Sequence, residues 1–419
     1  MADLISPLMA ELKESAARRP GDLDRLFDEI VQGGTPLIEC IEGDANHCFI
    51  TFLWRADGAK SVAVVGGPGG IVHNPLHRLG DADVWYRTYK APADSRFSYQ
   101  ILEDPPEIPQ DPEQIMPVMM GAFARMVGDH RNPKRFEIPR GDLSPIPADL
   151  VWSVVELKDA PPQPYIDARP ERPAGSVQTH EFQSKLAESK RRLWVYTPPG
   201  YQPGGDYPWI AATDGAGMMT AQQLPTTLDN LIAEAKIPSM VAVMIEHPGG
   251  MPGRVQELAC SDIFQRVVGE ELVPWVRENY SVSHDRGKAI LVGGSFGGLG
   301  ATFTAWRRPD LFGNVLSNSG SYWWAPHGDE PEWLARELAS ASAEAVPARC
   351  YLDVGRFETG SSFPGVPDLL TTVRHMRNIL RAKGSQVFYS EHNGGHDLVC
   401  MRGQLAEGLI ALAGAWAAE

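Results

Sequence analysis

The sequence predicts an α/β protein in two parts: a β-rich N-terminal region and a C-terminal, mainly parallel sheet flanked by helices. Three observations carry this. Between about 37 and 103, short strand-like runs alternate with turn residues. From about 176, apolar strands alternate with helical segments. Between them, 104–175 is rich in Pro, Asp and Arg and shows little periodicity. At roughly 150 residues per domain, a chain of 419 residues holds two or three domains. The division is placed at 1–175 and 176–419.

Residues 3–31 read as one or two helices. In the second, Leu23, Leu26, Phe27, Ile30 and Val31 recur on one helical face, the pattern of a packing helix. Strands are expected at 48–54, 61–65, 84–89 and 96–102, separated by Asp57-Gly58, Gly66 through Gly70, Gly80-Asp81 and Pro92. That spacing is the pattern of a β-sandwich. Residues 104–175 read as its last edge plus a linker, made stiff by Pro161, Pro162, Pro164, Pro170 and Pro173. Beyond 176, strands are expected at 193–198, 209–214, 240–246, 289–295, 314–320, 349–355 and 386–392. Four of these are almost continuously apolar, as strands buried on both faces should be. Helices fall between them at 226–236, 263–279, 297–307, 331–343, 367–383 and 398–417. Such alternation means βαβ units.

The chain carries 38 Lys and Arg against 53 Asp and Glu, a net charge of −15. This excludes a general nucleic-acid binder, which needs a basic footprint, and disfavours docking on anionic lipid. No run of 18 apolar residues is present, so no membrane-spanning segment is expected. The first twenty residues lack a basic stretch followed by an apolar one, so no secretory signal is expected either. Five cysteines without a C-x-x-C pair point to reduced thiols in a cytoplasmic protein.

Gly293-Gly294-Ser295-Phe296-Gly297 is a G-x-S-x-G run between an apolar strand and a helix. This is the context of a nucleophile elbow, where a sharp turn lifts a serine hydroxyl clear of the sheet. A hydroxyl needs a base. In the order this elbow implies, the base is a late histidine, after an acid. His396 fits, in a Gly-rich loop between the last strand and the last helix; His392 lies on the strand itself. Two glycines between these imidazoles and no third cluster argue against zinc, and neither metal nor cofactor is expected. The acid belongs in the loop after 349–355, which selects Glu358; Asp353 is within the strand, and Asp397 would have to fold back. Oxyanion donors are expected from the N–H of Phe296 and from Gly215 or Ala216, in the turn after 209–214. Trp323 and Trp324 are candidates for stacking on a planar substrate. Arg254 and Arg402 are candidates for holding an anionic one.

On these residues, the chain resembles the enterobactin (enterochelin) esterase family, hydrolases that open ferric tricatechol siderophores. The resemblance rests on GGSFGGLGA (293–301), LSNSGSYWW (316–324), GGHDLVCMRGQLAEGLI (394–410), the R-x-x-E-L of Arg254 to Leu258, and Asp214-Gly215. Thinner matches in the N-terminal half are FITFLWR (49–55), DVWYRTY (83–89), Asn132-Pro133 and VELKDAPPQPY (155–165). It covers nearly the whole chain. It implies an immunoglobulin-like β-sandwich packed over an α/β-hydrolase domain, and hydrolysis of a trilactone whose cleavage frees iron in the cytoplasm. The implied substrate is a ferric catecholate siderophore, with no nucleic acid or membrane partner. By resemblance, Ser295 and His396 are nucleophile and base. Glu358 matches the acid position of the related S-formylglutathione hydrolases, and Arg254 and Arg402 match arginines near the pocket. A ferric tricatecholate is a trianion, which gives the arginines a physical reason. The chain departs from the family at Ala216 through Met219 and at 247–253. The alternative substrates are feruloyl, acetyl-carbohydrate or S-formylglutathione esters, and the sandwich is expected to form one wall of the site.

Overall fold

The computed structural model describes residues 4–70, 73–109, 112–138, 150–361 and 365–418. Two helices, Pro7–Arg18 and Leu23–Ile30, lead the chain. Met9, Leu12 and Phe27 from these helices and Val31 just after them pack in one small core with Leu37, Leu53 and Tyr86, so the periodic face at 23–31 is a packing face.

Among the described residues, nine strands follow: β1 (Leu37–Ile41), β2 (Asp44–Arg55), β3 (Val62–Gly66), β4 (His73–Pro75), β5 (His77–Arg78), β6 (Val84–Pro92), β7 (Arg96–Glu103), β8 (Arg135–Ile138) and β9 (Leu150–Glu156). They form two antiparallel sheets, β1-β2-β6-β5 and β4-β3-β7-β9-β8. Both sheets feed one core: Ile50, Phe52 and Trp54 from one meet Val64, Phe97 and Tyr99 from the other. The four strands expected between 48 and 102 are present.

The reading of 104–175 as an edge and a linker is corrected in part: β8 in this stretch is an edge of its sheet, but the stretch is more than edge and linker. It contains the helix Pro112–Phe123 and β9, which lies inside its sheet between β7 and β8. The sequence shows no apolar stripe for this helix because Ile115, Val118, Met119 and Met120 spread apolar character around it, with Pro117 in the middle. The part of that reading at 139–149 lies outside the described residues.

The C-terminal half builds one eight-stranded sheet from β10 (Ser176–Ser184), β11 (Ser189–Thr197), β12 (Trp209–Ala212), β13 (Val241–Ile245), β14 (Ala289–Gly294), β15 (Asn314–Asn318), β16 (Arg349–Gly355) and β17 (Gln386–His392). The order is β10-β11-β13-β12-β14-β15-β16-β17. The strands from β13 through β17 in that order pair in parallel. β12 to β15 are buried along their whole length. Alternation along β14 sends Leu291 into one flanking core and Ile290 and Val292 into the other. The edge strand β10 gives no strand signal in the sequence, because Ser176, Gln178, Thr179, Glu181 and Gln183 face solvent and read as a loop.

The segment Leu398–Ala417 is long and apolar enough to cross a membrane by length and composition. Here Leu405, Leu409 and Leu412 pack in the core against β14 and β15. The loops leaving the C-terminal ends of β14, β16 and β17 gather at one rim, where ligand sites form on sheets of this kind.

Candidate active site

β14 stops at Gly294 and the helix Phe296–Arg307 starts two residues on, so Ser295 makes the turn alone. Its φ of 57° and ψ of −121° are a strained conformation for a residue with a Cβ, costing on the order of 1–3 kcal/mol. The glycines around it are required by packing. A Cβ on Gly293 would sit 2.3 Å from the carbonyl carbon of Gly297, and one on Gly298 would sit 2.3 Å from Ser317 Oγ. Gly294 is different: a Cβ there first meets Met401 Sδ, at 3.2 Å. Gly293→Ala is therefore expected to lower stability by about 2–3 kcal/mol or more and to abolish activity, whereas Gly294→Ala folds. Thermal unfolding and an ester assay on the two variants check this.

Ser295 Oγ lies 3.1 Å from His396 Nε2, and His396 Nδ1 lies 2.7 Å from Glu358 Oε2. The other oxygen of Glu358 accepts the Ser319 hydroxyl at 2.6 Å and the Gly355 N–H at 2.7 Å. Burial pushes the Glu358 carboxyl up, but His396 and these donors outweigh it and hold it below the ordinary range. Burial likewise works against a charged His396, yet the charge and hydrogen bond of Glu358 prevail and raise it above an ordinary imidazole. This is the geometry of a serine–histidine–acid relay.

The alternatives lie elsewhere. His392 is half-buried on β17, with Nδ1 4.0 Å from Asp353 Oδ1. Among the described residues neither of its ring nitrogens has a hydrogen-bond partner. Asp353 accepts Asn318 Nδ2 at 2.7 Å. Asp397 caps the final helix, accepting the Cys400 N–H at 2.9 Å.

Phe296 opens its helix, so its N–H has no intrahelical acceptor, and the residue lines the cavity. The second oxyanion donor expected at Gly215 or Ala216 is corrected. These residues begin a short helix, Gly215–Thr220, and line no part of the cavity. The Ala216 N–H is donated to Glu246 Oε2 at 2.6 Å, and Gly215 packs against the Trp194 ring. The turn closes this way because Asp214 adopts a left-handed φ of 58° and its carboxylate is clamped on both oxygens by Arg254, with Nη2 to Oδ2 at 2.8 Å. Arg254, on the helix Gly250–Leu258, also donates to the Gly294 carbonyl at 3.2 Å and does line the cavity.

The aromatic pair divides. Trp323 lines the cavity, its ring edge-on to Phe296 at 5.7 Å. Trp324, one residue on, turns away to pack against Trp333, so its place as a substrate contact is corrected. Arg402 is corrected as well: it donates to Gln163 Oε1 at 3.2 Å and stacks 5.2 Å from the Phe136 ring. Phe136 lines the cavity and Arg402 stands behind it.

Two features escape the sequence pattern. Ser321 Oγ lies 3.2 Å from Ser295 Oγ, and Ser319 holds Glu358. The segment 316–324 draws attention through its tryptophans, but its serines meet the relay. Its position at the end of β15, next to β14, is the available signal. The second feature is the wall of a cavity of about 480 Å³, to which Met119, Met120, Phe123, Met126, Phe136 and Trp152 contribute from the N-terminal half. Methionines adapt to irregular apolar shapes, and Met119, Met120 and Met126 are its sign in the sequence.

Residues 49–166 match the family model described as the N-terminal part of enterochelin esterase. Residues 184–412, more than half of the chain, match the family described as "Putative esterase". The chain belongs to the enterochelin esterase family. It is 26% identical over 415 residues to the iron(III) enterobactin esterase of Dickeya dadantii (strain 3937), covering 91% of each chain. It superposes on the enterobactin esterase of Shigella flexneri, solved in the presence of enterobactin, with a TM-score of 0.68 and 27% identity, over 90% of this chain and 96% of that one. With the ferric enterobactin esterase of Salmonella typhimurium the TM-score is 0.72 at 25% identity, over 92% and 98%. The two matched segments are separated by residues 167–183.

Proposed function

We infer that this chain is a serine esterase that hydrolyses the ester backbone of a ferric catecholate siderophore of the enterobactin type. One observation carries the reading: the Ser295–His396–Glu358 relay opens into a cavity walled by both halves of a chain that matches iron(III) enterobactin esterases along nine-tenths of its length.

In this reading, His396 Nε2 takes the Ser295 proton as Oγ attacks a lactone carbonyl, and the Phe296 N–H meets the developing oxyanion. His396 returns the proton to the leaving serine hydroxyl of the opened ring. Water, activated by the same imidazole, then releases the acyl chain from Ser295. Glu358 keeps Nδ1 protonated and stabilises the imidazolium. Arg254 lies against the anionic part of the substrate, its own charge shared with Asp214. The reading includes a cytoplasmic site of action, supported by the reduced-thiol pattern. It treats the N-terminal half as an immunoglobulin-like sandwich and the C-terminal half as an α/β-hydrolase, divided near 175. The apolar Met and aromatic wall favours one other reading, a neutral aryl ester as substrate.

Mass spectrometry of ferric and iron-free enterobactin after incubation separates the two. The expected result is stepwise gain of water with the wild type alone and none with Ser295→Ala. No gain, with p-nitrophenyl acetate still cleaved, overturns the siderophore reading in favour of a neutral ester.

A further inference from the structure

The three members of the relay are held by different parts of the chain. Ser295 is fixed within the C-terminal half: its N–H donates to the Asn318 carbonyl at 2.9 Å, and its carbonyl accepts the Ser321 N–H at 3.0 Å. The loops carrying Glu358 and His396 are instead plugged into the N-terminal sheets. Phe357, next to Glu358, is buried in the core those sheets share, 5.8 Å from the Phe97 ring. The Arg96 N–H donates to the Asn393 carbonyl at 3.0 Å, and Asn393 Nδ2 donates to Asp94 at 2.7 Å. Asp397, the residue after His396, accepts the Ser98 N–H of β7 on Oδ2 at 3.0 Å and the Cys400 N–H on Oδ1.

We propose that Asp397 is a positioning residue: its carboxylate ties the histidine loop to strand β7 and so lets the N-terminal half set the place of His396 against Ser295. The proposal rests on the relay as read above. The chemistry of the side chain supports it. Two backbone donors from two elements, 299 residues apart on one side, need two acceptor oxygens, which a carboxylate supplies. An asparagine supplies one. A serine caps a helix well but is too short to reach both strand and helix. The titratable and charged groups around Asp397 are His396 and Glu358 on the two loops, Cys400 and Arg402 on the capped helix, and Arg96 on β7. Burial pushes the Asp397 carboxyl up to about 6 against the pull of its two backbone donors, and its charge adds to the forces that raise His396.

The test compares Asp397→Ser, which keeps the cap and loses the tie, with Asp397→Asn on the full chain. Turnover of p-nitrophenyl acetate is followed across pH, with thermal unfolding alongside. A displaced imidazole costs on the order of 10–100-fold, so Asp397→Ser is expected to lose that much kcat at near-constant KM while still folding. Its acid limb moves to lower pH, because a negative charge beside His396 is gone; a purely structural residue would not move it. Asp397→Asn shows the same shift with a smaller loss of kcat. Parental kcat and an unmoved limb in either variant overturn the proposal, and Asp397→Asn alone decides it if Asp397→Ser does not fold. Fluorophosphonate labelling of the wild type keeps the two ideas apart. A wild type that neither labels nor cleaves removes the relay and the proposal with it. A wild type that labels at Ser295, with variants at full rate, removes the positioning alone.

Discussion

Ser295→Ala is expected to lower kcat by on the order of 10⁵–10⁶-fold, the scale seen when the serine of such a relay is removed. The neighbouring hydroxyl offers no substitute: Ser321 Oγ lies beside Ser295 Oγ, but the His396 nitrogen points at Ser295. The variant should fold. Alanine meets the same backbone strain as serine at a φ of 57°, and the two hydrogen bonds of the hydroxyl contribute about 1 kcal/mol each at most. Because the cavity walls are untouched, substrate affinity should stay within a few-fold of wild type. Turnover together with a binding titration checks both halves of the expectation. Residual turnover above about a hundredth of wild type would show that Ser295 is not the nucleophile.

Glu358→Gln is expected to lower kcat by on the order of 10⁴-fold with the fold retained. The loss comes from the tautomer. Ser319 and the Gly355 N–H both donate to one side of the residue, so a glutamine would keep its carbonyl there and turn its NH₂ toward His396 Nδ1. Nδ1 would then accept, Nε2 would carry the proton, and Ser295 would lose its base. The pH dependence gives an independent sign. The wild-type base must be neutral, and Glu358 raises His396 above the ordinary value near 6.5. Wild-type activity therefore falls as pH drops through a point above that value. Without the carboxylate, burial dominates and the imidazole is lowered, so the residual activity of Glu358→Gln should persist to lower pH. Steady-state rates across pH on both proteins read this directly. A variant with an unmoved acid limb would mean that Glu358 is not what sets His396.

The relay is legible in the sequence because each member occupies a place set by local chain order. A strand, a glycine-flanked serine and a helix define Ser295. A glycine loop between the last strand and last helix defines His396. A loop three residues past a strand end defines Glu358. Side-chain direction within loops is not legible. Trp323 and Trp324 are neighbours, yet one faces the cavity and the other packs on Trp333. The Ala216 N–H is consumed by Glu246, 30 residues away, and Arg402 is drawn to Gln163; neither partner is visible in a local pattern. The cavity wall is hidden for a related reason. A helix apolar on every side has no stripe, and β9 carries Trp152 toward the cavity and Val155 into the core, so both faces read as apolar.

The insertion of Phe357 between the N-terminal sheets bears on how the molecule is made. During synthesis the N-terminal part emerges first, and its core lacks this ring until Phe357, in the loop after β16, has left the ribosome. Contacts between such distant partners close late. The base arrives later still, on the last loop before the final helix. A nascent chain therefore carries Ser295 in an unfinished pocket until the loops bearing Glu358 and His396 have followed it.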